Sequence, residues 1–254
     1  MKYFSACLLL LCLLFLARPA IASYDSAFND YTYAYNQYRT AHGNYLLAKS
    51  AFYTYRTLAS QNDAITKFKA ALIARNQVML NYYSLLNEKT LATTEMSESE
   101  KSSFTAIVAS QKSWLSDHQK RTEAAASLED LNTVSQEFES RFSQMETETK
   151  QAVGSILLAK DARLASDTEI LINETSTTMS PIAPNTERGI IAARNKQQLA
   201  LDKAGQARKI FFPENLYSSE GINIFSAQTK LSESAQYLKE ALNYLSEIVK
   251  GVTG

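Results

Sequence analysis

The segment Tyr31–Tyr55, YTYAYNQYRTAHGNYLLAKSAFYTY, places aromatic residues and alanines in a repeating order. Traced back to Tyr24, the aromatic residues recur every seven positions, and the alanines form a second seven-residue row offset by three. Such rows are typical of a helix that packs along a heptad seam. The aromatic row is Tyr24, Tyr31, Tyr38, Tyr45 and Phe52, and the second row is Ala27, Ala34, Ala41 and Ala48, continued by Tyr55. We therefore expect a neighbouring helix to approach closely at the alanines, while the rings fill the space between them.

Two further tyrosines, Tyr33 and Tyr53, lie off this seam. Together with Tyr35 and Tyr55 they could present their rings on a face that carries little charge, since Ser23 to Ser60 hold only two acids and three bases. Aromatic rings among neutral hydrogen-bonding side chains suit a partner helix or the stacking of a sugar. The alternative is that a few exposed tyrosines have no binding role, because large parts of any protein surface are apolar.

The rest of the chain predicts five further long helices. Gly (7) and Pro (4) are scarce among the 254 residues, and no segment alternates with a period of two, which argues against strands. Ser97-Glu98-Ser99-Glu100 is a capping box, Ser60–Asp63 is a turn and cap signal, and Ser127–Asp130 is a weaker start signal. The expected helices cover about 63–94, about 98–125, a segment from 128, an alanine-rich segment from 187, and about 219–250. In the segment from 128, the row of apolar residues shifts after Gly154 to Leu157, Leu164 and Leu171. The predicted fold is an all-α, elongated, antiparallel up–down bundle of about six helices with heptad packing and no sheet.

The expected organisation begins with a cleaved signal peptide, residues 1–22. It has a basic start, an apolar run and the small-residue pattern Ala20-Ile21-Ala22, and the alternative is an uncleaved anchor. We expect an N-terminal bundle over 23–173, a Ser/Thr/Pro-rich linker over 174–186, and a C-terminal helical pair over 187–254 packed on the same bundle. No later apolar run is long enough to span a membrane.

The composition of the chain limits the kinds of functional site and partner that we expect. Both cysteines, Cys7 and Cys12, fall in the signal segment, so we expect no disulfide and no thiolate metal site in the exported chain. Loss of residues 1–22 removes two bases and no acid, which takes the net charge from 0 to about −2 and gives no reason to expect nucleic acid as a partner. The two histidines, His42 and His118, lie on different predicted helices outside any metal motif, and we expect no cofactor. No acid lies inside an apolar stripe, which argues against a catalytic carboxylate.

The sequence thus favours an exported, non-catalytic helical protein that acts as a structural or protein-interaction module. It would dock through a helix face, with the tyrosine-rich first helix as the main surface and the alanine-rich fifth helix beside it. The second hypothesis is a bundle that holds a small molecule or a glycan between helices, near Tyr35, Arg75, Tyr82 and Trp114. Arg75 falls inside an apolar stripe, so it either extends its head to solvent or pairs with a tyrosine ring or a carboxylate. A carboxylate-dependent hydrolase is the third, less favoured hypothesis.

Overall fold

The computed structural model describes residues 19–179, 186–214 and 221–253. Within these ranges the chain is helical, with no strand, and the all-α prediction is confirmed. The helices are α1 (Pro19–Tyr55), α2 (Leu58–Ala92), α3 (Glu98–Ala124), α4 (Leu128–Met179), α5 (Glu187–Phe211) and α6 (Ile224–Thr253). In this described part of the chain, no helix combines the length and apolarity that crossing a membrane requires.

The chain forms two compact units, Met1–Met145 and Glu146–Gly254, so helix α4 contributes its first part to unit 1 and its remainder to unit 2. Residues 174–179 of the expected linker belong to α4, which remains helical through Met179. Residues 180–185 of the expected linker lie outside the described residues. So do residues 1–18 of the expected signal peptide, which include both cysteines.

The heptad seam of α1 faces α2 in unit 1. Ala27, Ala34 and Ala48 are buried, the aromatic row from Tyr24 to Phe52 is half-buried, and Tyr55 is exposed beyond the end of the seam. The two helices run antiparallel: Asn81 Nδ2 donates a hydrogen bond to the Asp30 carbonyl over 3.1 Å, and the ring of Tyr45 stacks on that of Phe68 at 4.6 Å. The small residues thus permit the close approach that their spacing predicted.

The turn between α1 and α2 comes earlier than expected. Thr57 caps α2, since its hydroxyl accepts a hydrogen bond from the Ser60 backbone N–H and the Ser60 hydroxyl lies 3.1 Å from the Thr57 backbone nitrogen. Arg56 has a φ of 49°, the left-handed conformation that lets the chain reverse within two residues. The polar group Ser60–Asp63 therefore lies inside α2, and its placement as the turn was wrong, because Thr57 and Ser60 form the capping box instead.

Helices α3 and the first part of α4 complete unit 1. The expected capping box of Ser97 and Glu100 starts α3, and Ser127 and Asp130 exchange hydrogen bonds at the start of α4. Lys112 Nζ donates to Ser84 Oγ over 2.9 Å, and Lys69 Nζ donates to the Ala125 carbonyl over 2.8 Å, so α2 and α3 are antiparallel. The largest fully buried side chains of this unit include Tyr83, Leu115, Leu131 and Met145.

Unit 2 packs the remainder of α4 against α5 and α6. The α5 seam is buried along most of its length, as its pattern predicted. The buried row on α4 is displaced by one position from the one expected, since Leu164 and Leu171 are exposed; Ala235 and Val249 on α6 are exposed as well. The positions that face the interior are Asp161, Ala165, Thr168 and Ile172 on α4, and Ala227, Ser234, Ala241 and Ile248 on α6.

Candidate functional site

Unit 1 contains a cleft of about 410 Å³ between α1, α2 and the first part of α4. We call it the tyrosine cleft. Its lining is Tyr31, Tyr35 and Tyr38 from α1, Arg75, Val78 and Met79 from α2, and Phe138, Glu139 and Phe142 from α4. Tyr31 and Tyr38 belong to the aromatic row of the α1 heptad, and Tyr35 stands at the neighbouring heptad position. These positions lie along one edge of the seam, so the three rings line the cleft together. The volume falls within the usual range for small-molecule sites, roughly 300–1,000 Å³.

Arg75 is the main polar group of the tyrosine cleft, and its side chain is only 16% exposed. Its Nη1 lies 2.8 Å from Glu139 Oε1, and its guanidinium carbon lies 3.7 Å from the centre of the Phe138 ring. Its Nε and Nη2 are closed off from solvent and have no hydrogen-bond partner among the residues that the structure describes. The pairing with a carboxylate that the sequence left open is therefore present, and the alternative of a head extended to solvent was wrong.

Burial lowers the pKa of Arg75, and the negative charge of Glu139 opposes that shift. Arginine starts from so high a pKa that the side chain keeps its charge at neutral pH. The face of Phe138 offsets part of the lost hydration by a cation–π contact. Two charged N–H donors still lack an acceptor, and a buried unpaired donor normally destabilises a fold by about 1–3 kcal/mol.

A buried polar cluster lies behind Phe138. His118 is fully buried, with its ring 5.8 Å from Phe138 and stacked on Trp114 at 4.8 Å. Its Nε2 lies 2.9 Å from the Val134 carbonyl and its Nδ1 lies 2.9 Å from Asn76 Nδ2. Because a carbonyl only accepts, Nε2 carries the proton and Nδ1 accepts from the amide of Asn76. Burial lowers the pKa of His118, which favours the neutral ring. In this neutral form both ring nitrogens have a hydrogen-bond partner.

The cleft brings together only two of the residues singled out from the sequence, Tyr35 and Arg75. Tyr82 is half-buried with its ring 5.5 Å from that of Tyr31, and burial raises its pKa, but it does not line the cleft. Trp114 lines a second, more open cleft of about 480 Å³ between α3 and α4, and three charged residues, Arg121, Glu137 and Arg141, share that lining.

The other three sequence candidates point away from the tyrosine cleft. Tyr33, Tyr53 and Tyr55 are 68%, 61% and 70% exposed. Their rings therefore remain available on the surface of α1, as expected from their positions off the seam or at its end. The alanine-rich face of α5 is not available in the same way, because Ala193, Ala200 and Ala207 are buried within unit 2.

Sequence reasoning missed seven residues of the cleft, of which Val78 and Met79 are apolar residues of α2. Tyr31 and Tyr38 were assigned to the seam alone, although half-buried rings at a seam edge can line a cavity as well as pack. Phe138 and Phe142 stand four residues apart on one face of a helix, a spacing that the sequence does display. Glu139 gave no signal, because its partnership with Arg75 joins residues 64 positions apart on two helices.

In the described part of unit 2, Asp161 is a buried carboxylate, which corrects the expectation that no acid lies within an apolar stripe. Asp161 is 9% exposed and accepts a hydrogen bond from the fully buried Ser234 hydroxyl over 3.0 Å. Burial raises the pKa of Asp161, and the hydrogen bond from Ser234 only partly opposes this. The sequence signal was the spacing of Asp161, Ala165, Thr168 and Ile172, which stand four, three and four residues apart.

No metal centre emerges from the described residues, where no group of three or more His, Cys, Asp or Glu side chains could hold an ion. His42 lies exposed on α1 with its ring 5.7 Å from Tyr38, whereas His118 is enclosed by α2, α3 and α4. Comparisons with protein-family models, with curated proteins and with solved structures found no match to this chain.

Proposed function

We propose that the protein is an exported, non-catalytic binding protein that holds a small molecule or a glycan in the tyrosine cleft. The observation that carries this proposal is Arg75, a buried charge with two unpartnered N–H donors in the wall of an aromatic cleft. Such a group is unfavourable for stability alone, since hydrophobic residues of similar volume often replace buried ion pairs without loss. A binding role accounts for its presence, because a ligand in the cleft supplies the missing acceptors.

The lining supports a ligand that carries a ring. The ring centres of Tyr31 and Tyr35 lie 6.2 Å apart with the ring planes inclined by 29°, and those of Phe138 and Phe142 on α4 lie 6.0 Å apart with an angle of 25°. Aromatic faces stack on planar rings and on the apolar faces of sugars. Tyrosine hydroxyls and Glu139, whose side chain is 66% exposed, add hydrogen-bonding groups at the mouth of the cleft.

Two features favour binding over catalysis. Glu139 in the cleft is paired with Arg75, and the two nitrogens of His118 behind Phe138 are engaged with Asn76 and Val134. Arg75 stays protonated at neutral pH and cannot serve as a base. The proposed export follows from the signal-like character of residues 1–22.

Thermal unfolding in the presence of neutral ring compounds, such as phenylacetamide and a chitin trisaccharide, tests this proposal. We expect at least one of them to raise the unfolding temperature in a saturable way, since a ligand that binds only the native state stabilises it. Tyr35→Ala should abolish that rise. The matched variant Tyr33→Ala, on the same helix but outside the cleft, should retain it. If no ring compound, neutral or acidic, stabilises the protein, or if both variants behave alike, the proposed site is wrong.

A second candidate is self-association through the outer face of α1, the face opposite the seam. Tyr33, Leu47 and Tyr53 lie on it at 68%, 72% and 61% exposure. A second copy of the chain is the partner that suits this face, because its few charges nearly balance and two copies would not repel one another.

Light scattering over a wide concentration range tests the second candidate. We expect a concentration-dependent dimer that Leu47→Glu dissociates and the neighbouring exposed change Lys49→Glu leaves intact. A monomer at all concentrations, or equal loss in both variants, would exclude self-association through this face.

A further inference from the structure

The unpartnered atoms of Arg75 all lie on one edge of its guanidinium group. Nη1 is engaged by Glu139, whereas Nε and Nη2 have no partner. In the planar guanidinium the Nε–H and one Nη2–H point the same way, about as far apart as the two oxygens of a carboxylate. The two unpartnered nitrogens therefore form one fork, which can donate two parallel hydrogen bonds to a single carboxylate.

We propose that the ligand of the tyrosine cleft is a carboxylic acid that carries an aromatic or other planar ring. Its carboxylate accepts both hydrogen bonds from the Nε/Nη2 edge of Arg75, and its ring lies among Tyr31, Tyr35 and Phe142. This inference rests on the proposed function, because it names the chemical class of the ligand for the same cleft. It goes beyond that function by assigning the recognition to one edge of one side chain.

The surroundings of Arg75 favour an anionic ligand over a cationic one. Arg75 already places a positive charge 3.7 Å from the Phe138 ring, so a cationic ligand would meet a like charge in the aromatic site that would otherwise attract it. The negative charge of Glu139 lies on a side chain that is 66% exposed, where solvent screens it. The buried guanidinium is screened far less, so its attraction for a carboxylate inside the cleft is the stronger effect.

Access to the fork passes through the cleft. Nε and Nη2 are closed to solvent, and Arg75 lines the cleft beside Tyr35 and Tyr38. Tyr35 is 43% exposed, so its ring has room to turn aside and admit a ligand. An entering carboxylate would then meet donors that have no competing partner, which avoids the usual loss of an existing hydrogen bond on binding.

A matched pair of probes tests the inference: phenylacetate and phenylacetamide, which share ring and shape and differ in charge and in one acceptor. Binding to the purified protein is measured by isothermal titration calorimetry. We expect phenylacetate to bind about 10- to 100-fold more tightly, the usual difference for a charge-assisted bidentate contact. Arg75→Met should remove this preference, whereas Arg39→Met, an exposed arginine of α1, should leave it unchanged.

The outcomes separate this inference from the proposed function. If the amide binds as tightly as the acid, the cleft is a binding site but Arg75 does not select a carboxylate, and the inference is wrong. If neither probe binds and no neutral ring compound stabilises the protein, the inference and the proposed function are both wrong. Should Arg75→Met fail to fold, Arg75→Lys retains the charge without the fork and should lose most of the preference. The wild-type comparison of acid with amide is decisive by itself.

Discussion

At the scale of single residues, Arg75 is expected to matter more for binding than for stability. Replacing it by Met removes a buried charge with two unpartnered donors and retains a flexible apolar stem of similar length. We expect Arg75→Met to leave the free energy of unfolding within about 1 kcal/mol of the wild type, or to raise it. Urea unfolding measures this.

The matched control is Leu72→Ala, almost one turn earlier on α2. Leu72 is 4% exposed, and truncating a buried leucine normally destabilises by about 2–5 kcal/mol. A loss in Arg75→Met as large as that in Leu72→Ala would contradict the assignment of Arg75 to binding.

Asp161 leads to a prediction of pH dependence. Its folded pKa is raised above the unfolded value of about 3.9, so the native state holds this proton to higher pH than the unfolded chain does. Its contribution to stability is therefore most favourable below about pH 3.9 and declines as the pH rises through the folded pKa.

Asp161→Asn removes the buried charge and keeps an acceptor for Ser234. We expect it to raise the free energy of unfolding at about pH 7 by about 1 kcal/mol or more, and the gain to shrink on acidification. Ser234→Ala, which leaves the carboxylate without its hydrogen bond, should act in the opposite direction. Urea unfolding at several pH values measures both, and a gain independent of pH would contradict this account.

At the scale of helices, Gly154 on α4 marks a close approach. A Cβ added there would lie 2.6 Å from Cδ1 and 2.9 Å from Cβ of Phe211, which is fully buried on α5 and cannot easily move. We expect Gly154→Ala to destabilise unit 2 by about 1–3 kcal/mol through overpacking.

Gly205 on α5 is the control within the same unit, since an added Cβ would meet no atom within 4 Å. Gly205→Ala should stabilise by about 0.5–1 kcal/mol, because alanine favours the helix over glycine. Equal effects of the two substitutions in thermal unfolding would show that α4 and α5 do not approach closely at Gly154.

The helices also show which predictions the sequence could support. The α1 seam was predictable because one of its rows consists of large aromatic side chains and the other mainly of alanines. Only one face of the helix contains both rows, so the pattern identifies that face as the packed one. On α4 the apolar residues are spread over two adjacent rows, and the pattern alone chose the wrong one for Leu164 and Leu171. The Arg75–Glu139 pair was out of reach because a helix pattern fixes which face is buried and not the register between two distant helices.

At the scale of the whole molecule, the two units are expected to respond to acid in opposite ways. In unit 1, burial holds the folded pKa of His118 below its unfolded value of about 6.5, so the unfolded chain takes up the proton first and stability falls as the pH drops below about 6.5. In unit 2, protonation of Asp161 raises stability as the pH falls.

Hydrogen exchange followed by mass spectrometry, at about pH 7.5 and at a series of lower pH values down to about pH 4, resolves the two units. After correction for the intrinsic pH dependence of exchange, we expect α3 to lose protection and α6 to gain it on acidification. Trp114, the only tryptophan of the chain, reports on unit 1 independently by fluorescence. A shift of both units in the same direction would mean that other groups govern their response to pH.

The repeating seam between α1 and α2 has an evolutionary consequence. Because rings recur with rings and alanines with alanines every seven residues, the α1 side of the contact looks the same after a slide of one heptad. The register is instead held at the ends, by the Thr57 turn, by Asn81 on the Asp30 carbonyl and by Ser23 on Glu88. An in-frame duplication of one heptad in each helix would lengthen this hairpin without a mismatched contact. Descendants of this gene should therefore differ in hairpin length by whole heptads, a spacing that genome sequences would reveal directly.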